Sequence, residues 1–307
     1  MAASRVSAQR LRVEVEGRSL ELSNLDKVLY PAAGFTKGEV IDYYTRIAPA
    51  LLPHLQDRPL TRIRYPNGVD DKSFFEKNKP AATPDWVRVE TLPAPGSTKQ
   101  RETIDYIVAD DLPTLVWLAN LAALELHTPQ WRVGEHPDML VVDLDPGAPA
   151  GLQQCLQVAL LMRDRLAEDG IDSYPKTSGK KGAQLACPVA ATQPADVISG
   201  YAKRIAQELE KGSPKSITSK MAKNLRPGKV FIDWSQNNAA KTTVSPYSLR
   251  AQPQPTVSTP LTWDEVEAGG TGEWDARPFT APQVLARVDE YGDLFAGLLD
   301  PGPEVPE

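Results

Sequence analysis

This sequence has little of what builds covalent staples or soft metal centres. Its 307 residues include only two cysteines, Cys155 and Cys187, far apart in the chain, and three histidines, His54, His127 and His136. Those numbers exclude a disulfide scaffold and a cysteine-rich zinc site, weigh against a histidine-built zinc centre, and suit a reducing cytoplasm. No apolar run reaches the ~18–20 residues that a membrane span needs, and the opening residues carry no expectation of a secretory signal. Internal repeats and low-complexity tracts are also missing. What remains is an ordinary soluble composition, 41% hydrophobic and 24% charged, with length for one large domain or two small ones.

The net charge of −6 argues at first against nucleic acid, but it hides an asymmetry. From Lys176 to Arg250 thirteen Lys and Arg stand against four Asp and Glu, whereas from Asp264 to Glu307 eleven acids stand against two arginines. A basic segment beside an acidic tail is the footprint of a polyanion-binding face on a protein kept soluble elsewhere. A solvated surface with uneven charge gives the same count, so the motifs must decide.

The most informative stretch is Val141-Val142-Asp143-Leu144-Asp145-Pro146-Gly147. In a strand, Asp143 and Asp145 share a face while Leu144 points opposite, and Pro146-Gly147 ends the strand with the acids at its rim. Two such carboxylates raise each other's pKa unless a cation compensates them, and a hard divalent metal is the natural compensation. A third acid, Asp233, ends the apolar strand Lys229 to Trp234. Three strand-borne carboxylates suit a two-metal phosphoryl-transfer site. Between them lies Lys176-Thr-Ser178-Gly-Lys180-Lys181-Gly182-Ala-Gln184, where backbone N–H groups and ammonium charges can converge on phosphate. It lacks the Gly-Lys-Ser/Thr order of a Walker A loop, and an exposed basic hairpin turn would read the same way. His127 follows an apolar stretch, a setting where histidine is more often a structural hydrogen-bonder than a ligand.

Strands interleave with helices throughout, so the class is α+β or mixed α/β. Thr36-Lys-Gly-Glu39, Thr262-Trp-Asp-Glu265 and Thr280-Ala-Pro-Gln283 have capping-box spacing and predict helix starts. Helices are also expected over Leu152 to Ala167 and Ala195 to Leu209, and Leu112 to Leu126 reads as one core helix. Strands are predicted at Leu11 to Val15 and at Arg62 to Tyr65, the latter closed by the turn Pro66-Asn67-Gly68, and as a hairpin over Lys176 to Val189. Residues 79–100, with four prolines, read as loop-rich, and Pro301 to Glu307 as frayed. The expected organisation is an arm over 1–18, one domain over 19–300 and a flexible tail over 301–307.

Taken together, these motifs resemble the bacterial non-homologous end-joining primase-polymerases of the archaeo-eukaryotic primase superfamily. Such modules are fused to, or stand alone beside, ATP-dependent DNA ligases. The resemblance rests on Leu22-Ser-Asn24-Leu-Asp-Lys27-Val-Leu-Tyr-Pro31, Thr36-Lys37, Tyr43-Tyr44, Arg58-Pro59, Phe74-Phe75, Glu125-Leu-His127, Asp143-Leu-Asp145-Pro-Gly, Ser178-Gly, Asp233-Trp and Pro246-Tyr-Ser-Leu-Arg250.

That resemblance implies a primase-like fold, a catalytic RRM-like sheet with helices packed around it. It implies that Asp143, Asp145 and Asp233 are catalytic and hold two divalent ions, manganese or magnesium, around an incoming NTP or dNTP. His127, Ser178, Lys181 and Arg250 would meet the nucleotide's phosphates, with Arg226 near the active site. Asn24, Lys27 and Lys37, assisted by Arg64, would grip the 5′-phosphate of a downstream DNA strand, and Phe74 and Phe75 would stack at the edge of the DNA. Two departures stand out: Gln184 occupies a position that is usually histidine, and the segment from His127 to Asp143 is short, which leans toward a stand-alone enzyme. The expected protein is a cytoplasmic, nucleoid-associated monomer that fills short gaps or break ends in 5′-phosphorylated DNA, preferring ribonucleotides. A separate ATP-dependent ligase, and Ku, are the partners implied. A non-catalytic end-binding or bridging module, or a primase starting chains de novo, stays open as an alternative.

Overall fold

The computed structural model describes residues 10–94 and 102–306. The chain opens with an antiparallel hairpin, β1 (Arg10–Val15) and β2 (Arg18–Ser23), then a small ribbon, β3 (Val28–Tyr30) and β4 (Phe35–Thr36). Thr36 caps helix α1 (Lys37–Leu55) with the reciprocal Glu39 bond of a capping box. There follow β5 (Pro59–Arg64), β6 (Phe74–Glu76), β7 (Val89–Pro93), β8 (Thr103–Val108), α2 (Leu112–Asn120) and β9 (Ala123–Thr128). The second half runs β10 (Met139–Pro146), α3 (Leu152–Glu168), β11 (Tyr174–Thr177), β12 (Ala183–Pro188), α4 (Ala195–Gly212), β13 (Ile217–Thr218) and β14 (Val230–Asp233). It closes with β15 (Thr243–Val244), α5 (Trp263–Thr271) and α6 (Ala281–Tyr291).

Two sheets organise this mixed α+β fold. One is six-stranded, ordered β15-β9-β5-β8-β7 with β6 also on β5; the other is five-stranded, ordered β11-β12-β10-β14-β13. Each carries its own apolar core. Leu20, Leu22, α1, α2, β5 and β9 meet in the first, with Tyr247, Leu249 and Val284 from the C-terminal half. β10, β12, β14, α3 and α4 meet in the second. Buried tyrosines join distant segments in the first core: the Tyr43 hydroxyl donates to the Tyr247 carbonyl at 2.7 Å, and the Tyr44 hydroxyl donates to the Leu124 carbonyl at 2.6 Å.

Four sequence expectations are revised. The apolar run Leu112 to Leu126 is a helix only to Asn120; Ala122 adopts a left-handed φ of 57° and the chain continues as β9. A strand buried on both faces is as continuously apolar as a buried helix, so periodicity cannot separate them. The expected arm over 1–18 ends in β1, which pairs with β2 across the expected boundary; residues 1–9 lie outside the described residues. The loop-rich stretch 79–100 contains β7, paired with β8, and residues 95–100 lie outside the described residues. Residues 301–306 are packed rather than frayed. The Ala190 N–H donates to the Pro303 carbonyl at 2.9 Å, and Val305, 2% exposed, enters the second core.

Candidate active site

β10 lies at the centre of the five-stranded sheet, so its alternation is enforced from both sides. Val142 and Leu144 enter the second core, which leaves Asp143 and Asp145 on the other face. β14 runs antiparallel to β10 with Asp233 directly opposite Asp143. Cross-strand partners share a face, so all three acids do. Burial raises the pKa of Asp143, and the charges of Asp145 and Asp233 raise it further against the hydrogen bond from Gln184. Asp145 is raised for the same reasons, burial and then Asp233, while Arg226 and Lys181 pull it down.

Asp143 and Asp233 are each engaged by local donors. Asp233 accepts from the Ser235 N–H at 3.1 Å, the Ser235 hydroxyl at 2.6 Å and Gln236 Nε2 at 2.9 Å. Asp143 accepts from Gln184 Nε2 at 2.9 Å. Among the described residues, no three His, Cys, Asp or Glu side chains converge on a single ion position. The donor set nonetheless fits hard divalent cations: three carboxylates on one face, whose mutual repulsion a cation would relieve.

Gln184 is fixed from behind. Lys176, 4% exposed, donates to Gln184 Oε1 at 2.5 Å, to the Ser258 hydroxyl at 2.6 Å and to the Val244 carbonyl at 3.0 Å. Because the amide oxygen faces the ammonium, its N–H must face Asp143. Burial, followed by the nearby Arg250 charge, lowers the Lys176 pKa to about 7.

Facing the acids across a cavity of about 370 Å³ are His127, Ser178, Lys181 and Arg250. Ser178 shapes the loop that joins β11 to β12: its hydroxyl accepts from the N–H groups of Lys180 at 3.3 Å and Gly182 at 3.2 Å. Two glycines there are obligatory. Gly179 has a φ of +70° and a Cβ would lie 2.6 Å from Arg250 Cγ; at Gly182 a Cβ would lie 2.2 Å from the Leu144 carbonyl oxygen. Arg250 Nη1 donates to the Ser178 carbonyl at 2.8 Å. Arg226 lies beyond β14, its guanidinium 3.6 Å from the centroid of the Phe231 ring, the residue paired with Asp145. His127 sits on β9 rather than after a helix.

A family model described as "LigD, primase-polymerase domain" matches residues 36–295. The chain belongs to the LigD primase-polymerase family. It is 44% identical over 283 residues to the multifunctional non-homologous end joining protein LigD of Mycolicibacterium smegmatis, covering 91% of this chain and 36% of that one. It is 34% identical over 278 residues to the bifunctional LigD of Bacillus subtilis, covering 90% of this chain and 43% of that one. The chain therefore spans less than half the length of these curated relatives. Among solved structures it resembles the polymerase domain from Mycobacterium tuberculosis ligase D in complex with DNA, with a TM-score of 0.85 and 42% identity, covering 91% of this chain and 97% of that one. A polymerase domain implies dependence on a divalent metal.

The LigD-type chain has a second cationic site at its N-terminal end. The turn Asn24–Lys27, closed by the Lys27 N–H donating to the Asn24 carbonyl at 3.0 Å, brings Lys27 beside the start of α1. Lys37 Nζ donates to the Ser23 carbonyl at 2.6 Å, and Lys27 Nζ to Asn67 Oδ1 at 2.9 Å. Burial, then the adjacent Lys27 charge, lowers the Lys37 pKa to about 8. Sequence reasoning missed Asn67, although its Pro66-Asn67-Gly68 turn was legible. Arg64, expected to assist, is committed elsewhere: Nε donates to the Leu121 carbonyl at 2.8 Å and Nη1 to Glu76 at 3.2 Å. Phe74 and Phe75 lie on β6, and their exposures of 42% and 58% leave both rings available. Glu125 carried no role in the sequence reading; its signal was the i, i+2 spacing from His127, which puts both on one face of β9.

Proposed function

We propose that this chain is a template-dependent nucleotidyltransferase that fills short gaps or break ends in 5′-phosphorylated DNA, adding ribonucleotides in preference to deoxyribonucleotides. The observation that carries this reading is the register of Asp143 with Asp233, which sets three acids on one face of the sheet, two of them, Asp143 and Asp145, lining the cavity with Lys181 and Arg250. Asp143, Asp145 and Asp233 would hold two divalent ions, manganese or magnesium, which when bound supply Lewis-acid activation of a 3′-hydroxyl and neutralise the departing pyrophosphate. Lys181 and Arg250 would hold the triphosphate above the 178–182 loop, whose own hydrogen bonds fix its shape. Ser178 and His127 would add neutral or charge-assisted hydrogen bonds on the same side. Arg226, stacked on Phe231 beside Asp145, would bring positive charge to the entry of the site.

The N-terminal site would position the downstream strand. Lys27 and Lys37 are close enough for one ammonium to depress the other's pKa, an arrangement suited to a terminal phosphate. Asn24 and Asn67 would add polar contacts beside them, and Phe74 and Phe75 would supply ring faces for unpaired bases. Among the described residues no helix is long and apolar enough to cross a membrane. A monomer in the cytoplasm, associated with the nucleoid and acting with a separate ATP-dependent ligase and Ku, completes the reading.

The test is manganese-dependent incorporation on gaps of one to three nucleotides, comparing ribo- with deoxyribonucleotides and 5′-phosphate with 5′-hydroxyl. Ribonucleotide addition stimulated by the phosphate is the expected result. Tight DNA binding without incorporation would instead identify a docking module, and product on an unprimed template a primase.

A further inference from the structure

Beneath the cationic rim lies a buried acid that does not reach the cavity. Glu125, 1% exposed, sits on β9 two residues before His127. Its Oε2 pairs with His127 Nε2 at 3.1 Å. Its Oε1 accepts the Ala251 N–H at 3.0 Å and lies 3.0 Å from Lys180 Nζ and 3.4 Å from Arg250 Nε. One carboxylate thus gathers groups from three separate segments: β9, the 178–182 loop and the 250–251 segment. Burial alone would raise its pKa, but the His127 hydrogen bond and the Arg250 and Lys180 charges outweigh burial and hold it well below the usual range.

The way each partner is held decides what it can offer a ligand. Arg250 turns Nε toward Glu125 and gives Nη1 to the Ser178 carbonyl, so among the described residues Nη2 is the guanidinium edge left over. His127 spends Nε2 on Glu125, which leaves Nδ1. Lys180 is the loosest of the three, 34% exposed at the end of a four-carbon stem, and a lysine ammonium has three rotatable donors.

We propose that Glu125 is a positioning residue for the nucleotide: it aims Arg250 and His127 and holds Lys180 until phosphate oxygens take that ammonium over. This rests on the reading above that the cavity takes a nucleoside triphosphate. Without Glu125, three cationic or protonatable groups would repel one another and spread, and each would have to be ordered anew when the ligand arrives. Charge alone predicts the opposite outcome, since removing an anion below a phosphate site would strengthen its attraction for phosphate. Positioning and charge therefore differ in sign, and binding can separate them.

The experiment is calorimetric binding of ATP, with manganese present, to the full chain and to the Glu125→Gln, Lys180→Met and doubly substituted variants. The Glu125→Gln variant should bind ATP about tenfold more weakly, equivalent to about 1.4 kcal/mol. The double variant should lose little beyond the weaker single one, because both changes remove the same handover. Glu125→Asp, shorter by one methylene but still charged, should fall between, and it decides the matter if Glu125→Gln does not fold. Unchanged or tighter ATP binding by Glu125→Gln, or wild-type affinity in Glu125→Asp, overturns this inference alone. Additive losses in the double variant overturn the handover. Failure of the unsubstituted chain to bind ATP overturns the triphosphate reading of the cavity, and this inference with it.

Discussion

In the acidic site, like charges are brought together by a regular sheet: β10 and β14 fix Asp143 opposite Asp233 through backbone register, and Asp145 follows by alternation. In the N-terminal pocket, like charges are brought together by turns and a helix start, and Lys27 and Lys37 are steadied by Asn67 and the Ser23 carbonyl. The acids repel one another and are only partly offset by nearby cations, Arg226 and Lys181 at Asp145 and Lys241 4.0 Å from Asp233. The lysines lean on neutral acceptors, Asn67 Oδ1 and the Ser23 carbonyl. A sheet gives rigid spacing and suits chemistry, where small displacements are costly; turns give adjustable reach and suit grip on a strand end.

Substitutions in the two regions should therefore fail differently. Asp145→Ala is expected to reduce incorporation by at least about 10³-fold, the scale of several kcal/mol of lost transition-state stabilisation, while DNA affinity changes by less than about threefold. Steady-state incorporation alongside fluorescence anisotropy checks it, and comparable losses in both would erase the contrast. Lys27→Ala should weaken binding of 5′-phosphorylated DNA by about ten- to a hundredfold, the range of one charge-assisted hydrogen bond, and leave 5′-hydroxyl DNA nearly unaffected. Equal losses on the two DNAs would remove the pocket from the account.

The pocket should also respond to pH. Because Lys37 titrates near pH 8 instead of 10.5, its charge is present below that value and is lost as pH rises through it. The advantage of 5′-phosphate over 5′-hydroxyl DNA should shrink by up to about tenfold between pH 7 and pH 9, one proton's worth of linkage over the titration. A flat ratio over that interval would mean that Lys37 does not face the phosphate. The smallest effect is expected from Phe75→Ala, about fivefold on DNA with an unpaired base beside the gap, at the lower end of base-stacking energies. Melting of the free variant should be unchanged, since the ring is more than half exposed.

The same contrast explains what could be read in the sequence. Asp143, Asp145 and Asp233 were legible because strand alternation and a terminating Pro146-Gly147 follow from local rules, and the three capping boxes at Thr36, Thr262 and Thr280 were legible for the same reason. The roles of Lys27 and Lys37 rested on resemblance to a family, since nothing local says that a turn and a helix start ten residues apart will meet. Glu125 was hidden differently. It lay in an apolar run read as one helix, and only the switch to β9 at Ala122 turns it to the same face as His127. Arg64 looked available because its commitment to the Leu121 carbonyl and to Glu76 depends on pairing between β5, β6 and β9.

The clamp of Lys176 on Gln184 works as a rule for which residues position 184 can accept. The side chain there must take a hydrogen bond on its inner edge, from the ammonium, and give one on its outer edge, to Asp143. Glutamine does this with its two amide ends, and a neutral imidazole does it with its two nitrogens, so histidine is an equivalent occupant. Glutamate would set a fourth carboxylate against the acidic face, and leucine or methionine would take from a buried ammonium one of its three acceptors. The position is thus open in identity but closed in polarity.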